Sequence, residues 1–209
     1  MPALYIITGS NGAGKSTVGP EYLPEFIHLN YKVFDGDLLY TYKLKELFPF
    51  KIKSAKYARQ AALESVVEEF ENQTSEALNK RDHYVYEGHF TNDETWKKPK
   101  EFKEAGYQIH LLFFGLENPE LSQFRVTERT IEGGHYVDPS TVRNNFYGNL
   151  EKLNIYYPLI DDLTIVDTSQ INHRILFKTV KNKIEFCVDR NELPQWFIQY
   201  LPAILALIP

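Results

Sequence analysis

Five short stretches of the 209-residue chain are nearly continuous in apolar, β-branched or aromatic residues and end in glycine or polar residues: Leu4–Thr8, Tyr31–Asp35, His83–Glu87, Ile109–Phe114 and Leu163–Asp167. Their length and composition predict buried strands rather than half-exposed ones. Between them the pattern changes to helical spacing. Asp37–Leu47, Ser54–Lys80, Asp93–Ala105, Pro119–Glu132 and Pro139–Leu153 read as helices, and the residues after the Gly9–Thr17 stretch, to about Tyr22, can form another. In the long segment, Ala62, Val66, Val67 and Phe70 suggest an apolar face. Asp93 and Asp138 are plausible caps, Pro119 suits the first turn and Gly106 a stop. Strand–helix alternation predicts an α/β fold: a parallel sheet with helices on both faces and the strand C-termini along one edge, where ligands bind. Near the C-terminus, Ile175–Val180 and Ile184–Val188 flank Lys181-Asn182-Lys183 and suggest an appended β-hairpin. The apolar tail Trp196–Pro209 reads as a helix docked on the body. The expectation is a single domain over 1–209, with a core at 3–170 and the hairpin and tail at 171–209.

Composition refines this picture without changing it. Hydrophobic residues make up 43% and charged residues 24%, ordinary values for a globular protein. The net charge of −5 argues against a nucleic-acid surface, which needs a basic field. A lysine stripe at Lys97, Lys98, Lys100 and Lys103 is more simply a solvated helix face. The single cysteine, Cys187, allows no internal disulfide, fits a reducing compartment and reads as a buried, inert thiol. The first apolar run is too short for a leader and the tail too short to span a bilayer, so the expected location is cytoplasmic, with no membrane partner. There is no Cys/His spacing for structural zinc and no Gly-x-Ser-x-Gly elbow.

Candidate chemistry sits at the predicted strand ends. After the first strand comes Gly9-Ser10-Asn11-Gly12-Ala13-Gly14-Lys15-Ser16-Thr17, which fits Gly, four residues, Gly-Lys-Ser/Thr. Glycines let a loop wrap phosphates with its N–H groups turned inward, and the helix that follows adds partial positive charge. Lys15 can reach β- and γ-phosphates and the Ser16 hydroxyl can ligate Mg²⁺, so the motif predicts a nucleoside triphosphate. The second strand ends in Asp35-Gly36-Asp37. Asp37 could take a proton from a hydroxyl attacking the γ-phosphate, hold Mg²⁺ through water, or simply cap the next helix; Asp35 reads as structural. The third strand ends in Glu87-Gly88-His89. Glu87 is placed for Mg²⁺ or a substrate hydroxyl, and His89 for a hydrogen bond to substrate or for a surface loop. After the fourth strand, Arg125 and Arg129 share a helix face one turn apart, followed by Glu132-Gly133-Gly134-His135 and then Arg143. Arginines before a Gly-Gly hinge suggest a lid over ATP, Arg129 above all, although pairing with Glu128 and Glu132 on a solvated helix is the simpler reading of either one alone.

The succession GSNGAGKST, VFDGD, YEGHF, LLFFGLENPEL and RVTERTIEGGHYVDPSTVRNNF resembles the zeta-toxin family of P-loop kinases, and its chromosomal branch often labelled "predicted ABC-type ATPase". The resemblance runs from about Tyr5 to Ser169. It implies a P-loop NTPase fold and transfer of the ATP γ-phosphate to a hydroxyl of UDP-N-acetylglucosamine. By motif, Gly9 to Thr17 would hold ATP, with Lys15 and Ser16 serving nucleotide and Mg²⁺. Asp37 matches the general base, Glu87 the substrate-holding acid, Arg129 the phosphate-contacting arginine, and Arg143 the second basic helix. His89 stands where family members commonly have Thr or Ser, beside the bulky Phe90. Arg143-Asn144-Asn145-Phe146 replaces a run of consecutive basic residues. An antitoxin partner is not visible in one chain. Two other readings are a kinase for another small hydroxyl compound and a nucleotide-gated ATPase switch.

Overall fold

The computed structural model describes residues 1–131 and 136–209. The elements run β1 (Ala3–Gly9), α1 (Lys15–Val18), α2 (Glu25–Asn30), β2 (Phe34–Asp35), α3 (Gly36–Leu47), α4 (Ala55–Lys80), β3 (Tyr84–Glu87), α5 (Lys97–Glu104), β4 (Gln108–Gly115), α6 (Pro119–Ile131), α7 (Pro139–Tyr156), β5 (Asp162–Asp167), β6 (Arg174–Val180), β7 (Lys183–Cys187), α8 (Gln195–Tyr200) and α9 (Pro202–Leu205). The strands form one sheet in the order β2-β3-β1-β4-β5-β6-β7. The first five are parallel, as the near-continuous apolar runs predict, and β6 and β7 add on antiparallel. The expected hairpin therefore extends the main sheet, turning through Lys181 and Asn182, both at positive φ.

Every residue of β1 is buried, because it lies at the centre with a strand on each side and helices above and below. The two faces can be read from adjacent residues of β4, which point in opposite directions. Phe114 meets Tyr22 edge-on at 5.5 Å, and Phe113 meets Trp196 of α8 at 6.3 Å. Around β3, Tyr84 and Tyr86 pack against Phe70 of α4, and Tyr84 stacks on Phe102 of α5.

Several local expectations change. The second strand shortens to Phe34–Asp35: Tyr31 caps the end of α2, its N–H donating to Ile27 O and its hydroxyl to Asp82 at 2.5 Å, and Lys32 and Val33 are irregular. The helix expected to reach Tyr22 tightens after Val18 into a 3₁₀ turn at Gly19-Pro20. Asp35, not Asp37, caps α3, its Oδ1 accepting from Leu38 N at 2.9 Å. Asp93 does not cap the next helical segment. Asn92 accepts from Thr95 N there, while Asp93 pairs with Lys152 at 2.8 Å. On α4, Val66 and Phe70 turn inward but Val67 is exposed, since neighbours on a helix lie about 100° apart. The tail forms two short helices rather than one, broken where Pro202 cannot donate. The Gly133-Gly134 hinge, with Glu132 and His135, lies outside the described residues.

The tail is docked by size complementarity. Trp196 lies against Gly115 so closely that a Cβ there would sit 2.2 Å from the indole. Trp196, Phe197, Leu201 and Ile204 are all buried. Replacing Trp196 by Ala is expected to cost about 3–5 kcal/mol, the range for emptying a large aromatic site. Urea denaturation measures it, and a loss under about 1 kcal/mol would show that the tail is not part of the core.

Candidate functional site

Register places the chemistry. Ile7 of β1 pairs with Glu87 of β3, and Asp35 of β2 pairs with the same Glu87, so two acids from adjacent strands end level beside the glycine loop. On the other side Gly9 is level with Phe114. The chain leaves β1 at Gly9 with φ +139°, and a Cβ there would lie 2.2 Å from the Phe114 carbonyl oxygen. Only glycine can turn the chain this close to β4.

The loop from Gly9 to Thr17 is held from behind by three uncharged side chains and one arginine. Ser122 of α6, fully buried, donates to Asn11 O at 2.6 Å. Asn145 of α7 donates to Asn11 Oδ1 at 2.8 Å. Asn149, one turn later and 1% exposed, has Oδ1 accepting from Phe90 N (2.7 Å) and Thr8 Oγ1 (3.1 Å). Its Nδ2 donates to the carbonyls of Asn145 (2.6 Å) and Gly9 (3.3 Å). Arg125 of α6 donates to Gly12 O at 3.3 Å and to Ser169 O, just past β5, at 3.0 Å. Sequence reasoning passed over Asn145 and Asn149. Their one visible signal was an asparagine pair spaced i, i+4 on a helix.

A cleft of about 530 Å³ opens in front of the loop. Three cations (Lys15, Arg125, Arg129) and three carboxylates (Asp35, Asp37, Glu87) line it. Lys15 is only 7% exposed, and its Nζ donates to Ser10 O at 3.0 Å. Burial pulls its ammonium below the usual lysine range, against the opposing pull of Glu87 and Asp37. Burial likewise pushes Glu87 above the usual carboxylate range, while Lys15 draws it back. Ser16 donates to Glu87 Oε1 at 2.9 Å. Asp37 stands in the first turn of α3, its backbone carbonyl accepting from Thr41 Oγ1. A smaller pocket of about 120 Å³ joins Lys15, Asp35, Asp37 and Glu87 to His89. Beyond Glu87-Gly88-His89 lies a third cavity of about 550 Å³, walled by Phe34, Phe70, Tyr86 and Phe90.

Of the residues singled out in the sequence, the structure brings Asn11, Gly12, Gly14, Lys15, Ser16, Thr17, Asp37, Glu87, His89 and Arg129 to one cleft. Gly9, Ser10 and Ala13 form the buried backbone behind it. Arg143 is placed elsewhere: it lines a separate groove with Phe124, is 59% exposed, and pairs with Glu120 at 3.0 Å. The residue that reaches the loop is instead Arg125. Among the described residues no group of three His, Cys, Asp or Glu side chains is arranged to hold a metal ion by itself. Cys187 is half-buried in β7, away from the cleft. No helix among the described residues is long and apolar enough to cross a membrane.

The zeta-toxin family model matches residues 1–181. No protein of curated function matches the chain. Among solved structures, the chain is similar to one from the PezAT chromosomal toxin–antitoxin system of Streptococcus pneumoniae. Identity is 19%, with 87% of this chain and 75% of that one covered at a TM-score of 0.58. It is similar to a structure of AvrRxo1-ORF1 and -ORF2 solved with ATP, at 14% identity and a TM-score of 0.70. That match covers 96% of this chain but 64% of the other, so the chain spans just under two thirds of its length. A proposed kinase from Chloroflexus aurantiacus matches at 16% identity over 97% of both chains, with a TM-score of 0.58.

The raised proton affinity of Glu87 gives a stability prediction with a definite sign. Between the unfolded carboxyl's pKa and the higher folded one, the native state holds more protons, so stability falls as pH rises through that window. Glu87→Gln mimics the protonated form. The variant is therefore expected to be more stable than the parent at pH 7, with the advantage shrinking toward pH 4. Denaturant midpoints at the two pH values test this, and a variant less stable at pH 7 would refute it.

Proposed function

The chain belongs to the zeta-toxin family and, with it, to the ATP-dependent phosphotransferases; we propose that it transfers the ATP γ-phosphate to a hydroxyl of a UDP-activated amino sugar of the UDP-N-acetylglucosamine kind. The observation that carries phosphoryl transfer is the convergence of Lys15, Ser16, Asp37, Glu87 and Arg129 on one cleft. The amino-sugar acceptor rests on the family resemblance. The cavity beyond His89 provides room beside Glu87 for an acceptor of that size.

In this reading the inward-turned backbone and Lys15 take the β- and γ-phosphates. Lys15 suits this because its charge is already stripped of water, so an anion gains from it more than it would from a solvated lysine. Arg129 supplies charge over the transferring group. Ser16 and the nearby carboxylates fit Mg²⁺, a hard cation held by few protein oxygens together with phosphates. When bound, it would neutralise phosphate charge. Glu87 orients the acceptor and Asp37 accepts its proton as the new O–P bond forms and the bond to the ADP oxygen breaks. The whole chain is proposed to act as one kinase unit in the cytoplasm, where an antitoxin-type protein could restrain it.

One observation favours a second reading of the acceptor, a hydroxyl compound without a diphosphate. The lysines at the far cavity, Lys97 and Lys98, are paired with Glu94, Glu71 and Glu101. A diphosphate placed there would compete with three carboxylates.

Purified protein with ATP, Mg²⁺ and a panel of UDP-sugars and other hydroxyl compounds is expected to yield phosphorylated UDP-N-acetylglucosamine by mass spectrometry. Asp37→Asn should lower turnover by about 10²–10⁴-fold while leaving ATP binding within a few-fold, as loss of a general base does. Turnover of an unrelated hydroxyl with none of UDP-N-acetylglucosamine overturns the acceptor assignment. ATP hydrolysis that needs a protein and no acceptor overturns the kinase.

A further inference from the structure

His89 is a wall common to three cavities: the phosphate cleft, the small acidic pocket and the aromatic cavity beyond. Both of its ring nitrogens meet amides. Nδ1 lies 3.2 Å from Asn149 Nδ2, and Nε2 lies 3.3 Å from Asn11 Nδ2.

The orientation of these amides determines what the ring can do. Asn149 cannot be reversed. Its oxygen accepts from the Phe90 N–H, which only donates, and its nitrogen faces the Asn145 and Gly9 carbonyls, which only accept. Asn149 therefore needs nothing from the ring. Asn11 has its oxygen occupied by Asn145 Nδ2, so it offers His89 an N–H. Nε2 must then carry the lone pair, which leaves the ring proton to Nδ1, with the Gly9 carbonyl close to the ring. A protonated ring would set an N–H against the Asn11 N–H. Burial, followed by the charge of Lys15, keeps the imidazole neutral, well below the usual histidine range.

Asn11 lies inside the phosphate loop. Its main chain is tied to α6 through Ser122, and its side chain to α7 through Asn145 and to the exit of β3 through His89. We propose that His89 is a positioning residue for the phosphate loop, holding Asn11 through Nε2 and so setting the loop's curvature from the acceptor side. This rests on the kinase reading of the cleft. It also removes His89 from acid–base chemistry, because its lone pair is committed to Asn11, and leaves proton acceptance to Asp37. His89 lines the aromatic cavity as well as the phosphate cleft, so the two substrates meet at one side chain.

The test is calorimetric binding of the non-hydrolysable analogue β,γ-imido-ATP with Mg²⁺ to the wild type, His89→Ala, His89→Gln, Asn11→Ala and the double alanine variant. His89→Ala is expected to weaken binding about tenfold, within the usual range of coupling between sites. His89→Gln, whose carbonyl can accept from Asn11, should restore affinity to within about threefold of the wild type. In the double variant the losses should not add, since the two residues act through one contact. Nitrogen NMR of the wild-type imidazole should show a protonated Nδ1 and an unprotonated Nε2 at pH 7. Unchanged affinity in His89→Ala, additive losses, or a proton on Nε2 overturns the inference while the kinase reading stands. A wild type that does not bind the analogue overturns both.

Discussion

The constraint on which the site depends is the burial of one ammonium. Lys15 is 7% exposed at the start of a helix, where the peptide dipoles already favour negative charge. A desolvated cation in that position is expensive unless anions stand close. The fold meets the cost by ending two neighbouring strands in acids. Asp35 and Glu87 are level across β2 and β3, and Asp37 follows in the first turn of α3. The arrangement is not fully relaxed. Glu87 is itself pushed toward its neutral form by burial and by the other acids. A cleft of this kind is a set of charges held apart by the sheet, and phosphate oxygens would complete it.

Beside Arg125, neutral side chains hold those charges in place. Asn145 and Asn149 on α7 and Ser122 on α6 satisfy the loop's backbone and amides from behind. Amides and hydroxyls can do this in a buried setting because their donors find acceptors: Ser122 on Asn11 O, Asn145 on Asn11 Oδ1 and Asn149 on the Gly9 and Asn145 carbonyls. A lysine or aspartate in the same place would shift the balance of the cleft. Gly9 makes the packing geometrically possible, and the asparagines fix it. The loop is thus shaped jointly by β1, the exit of β3, α6 and α7.

How much of this can be read from the amino acids depends on whether an interaction is local. Four of the five parallel strands sit within about one residue of the expected limits, because a strand buried on both faces must be apolar throughout. The glycine loop is legible for the same reason: its spacing and its flanking strand and helix are all local. The second strand was overcalled because apolar residues at a sheet edge can equally end a helix, as Tyr31 does. Of the readings open to Asp37, the capping one fails: the cap of α3 is Asp35, two residues earlier. Asp35 and Asp37 are both good capping residues, and only the start of the helix at Gly36 separates them. Asn149 is legible only as one half of an i, i+4 asparagine pair, and what that pair does emerges only when the helix is laid over the end of β1.

The arginines show the same divide more sharply. Spacing alone places Arg125 and Arg129 on one face of α6, and both line the cleft. Yet the two are not equivalent. Arg125 spends its donors on the Gly12 and Ser169 carbonyls, so it clamps the loop to the end of β5. Its charge is therefore fixed near the phosphates whether or not a ligand is there, and a phosphate could take those donors only by releasing the loop. Arg129 stands one turn further along, close enough for its charge to oppose that of Lys15. Arg143, similar in sequence context, lies on α7 with Glu120 as its partner and 59% of its side chain exposed. What separates them is the side of the α6–α7 pair on which each projects. Cations on the inner side meet the loop's carbonyls or the cleft, and a cation on the outer side meets water and a glutamate. At this cleft the arginines come from α6, while α7 contributes amides.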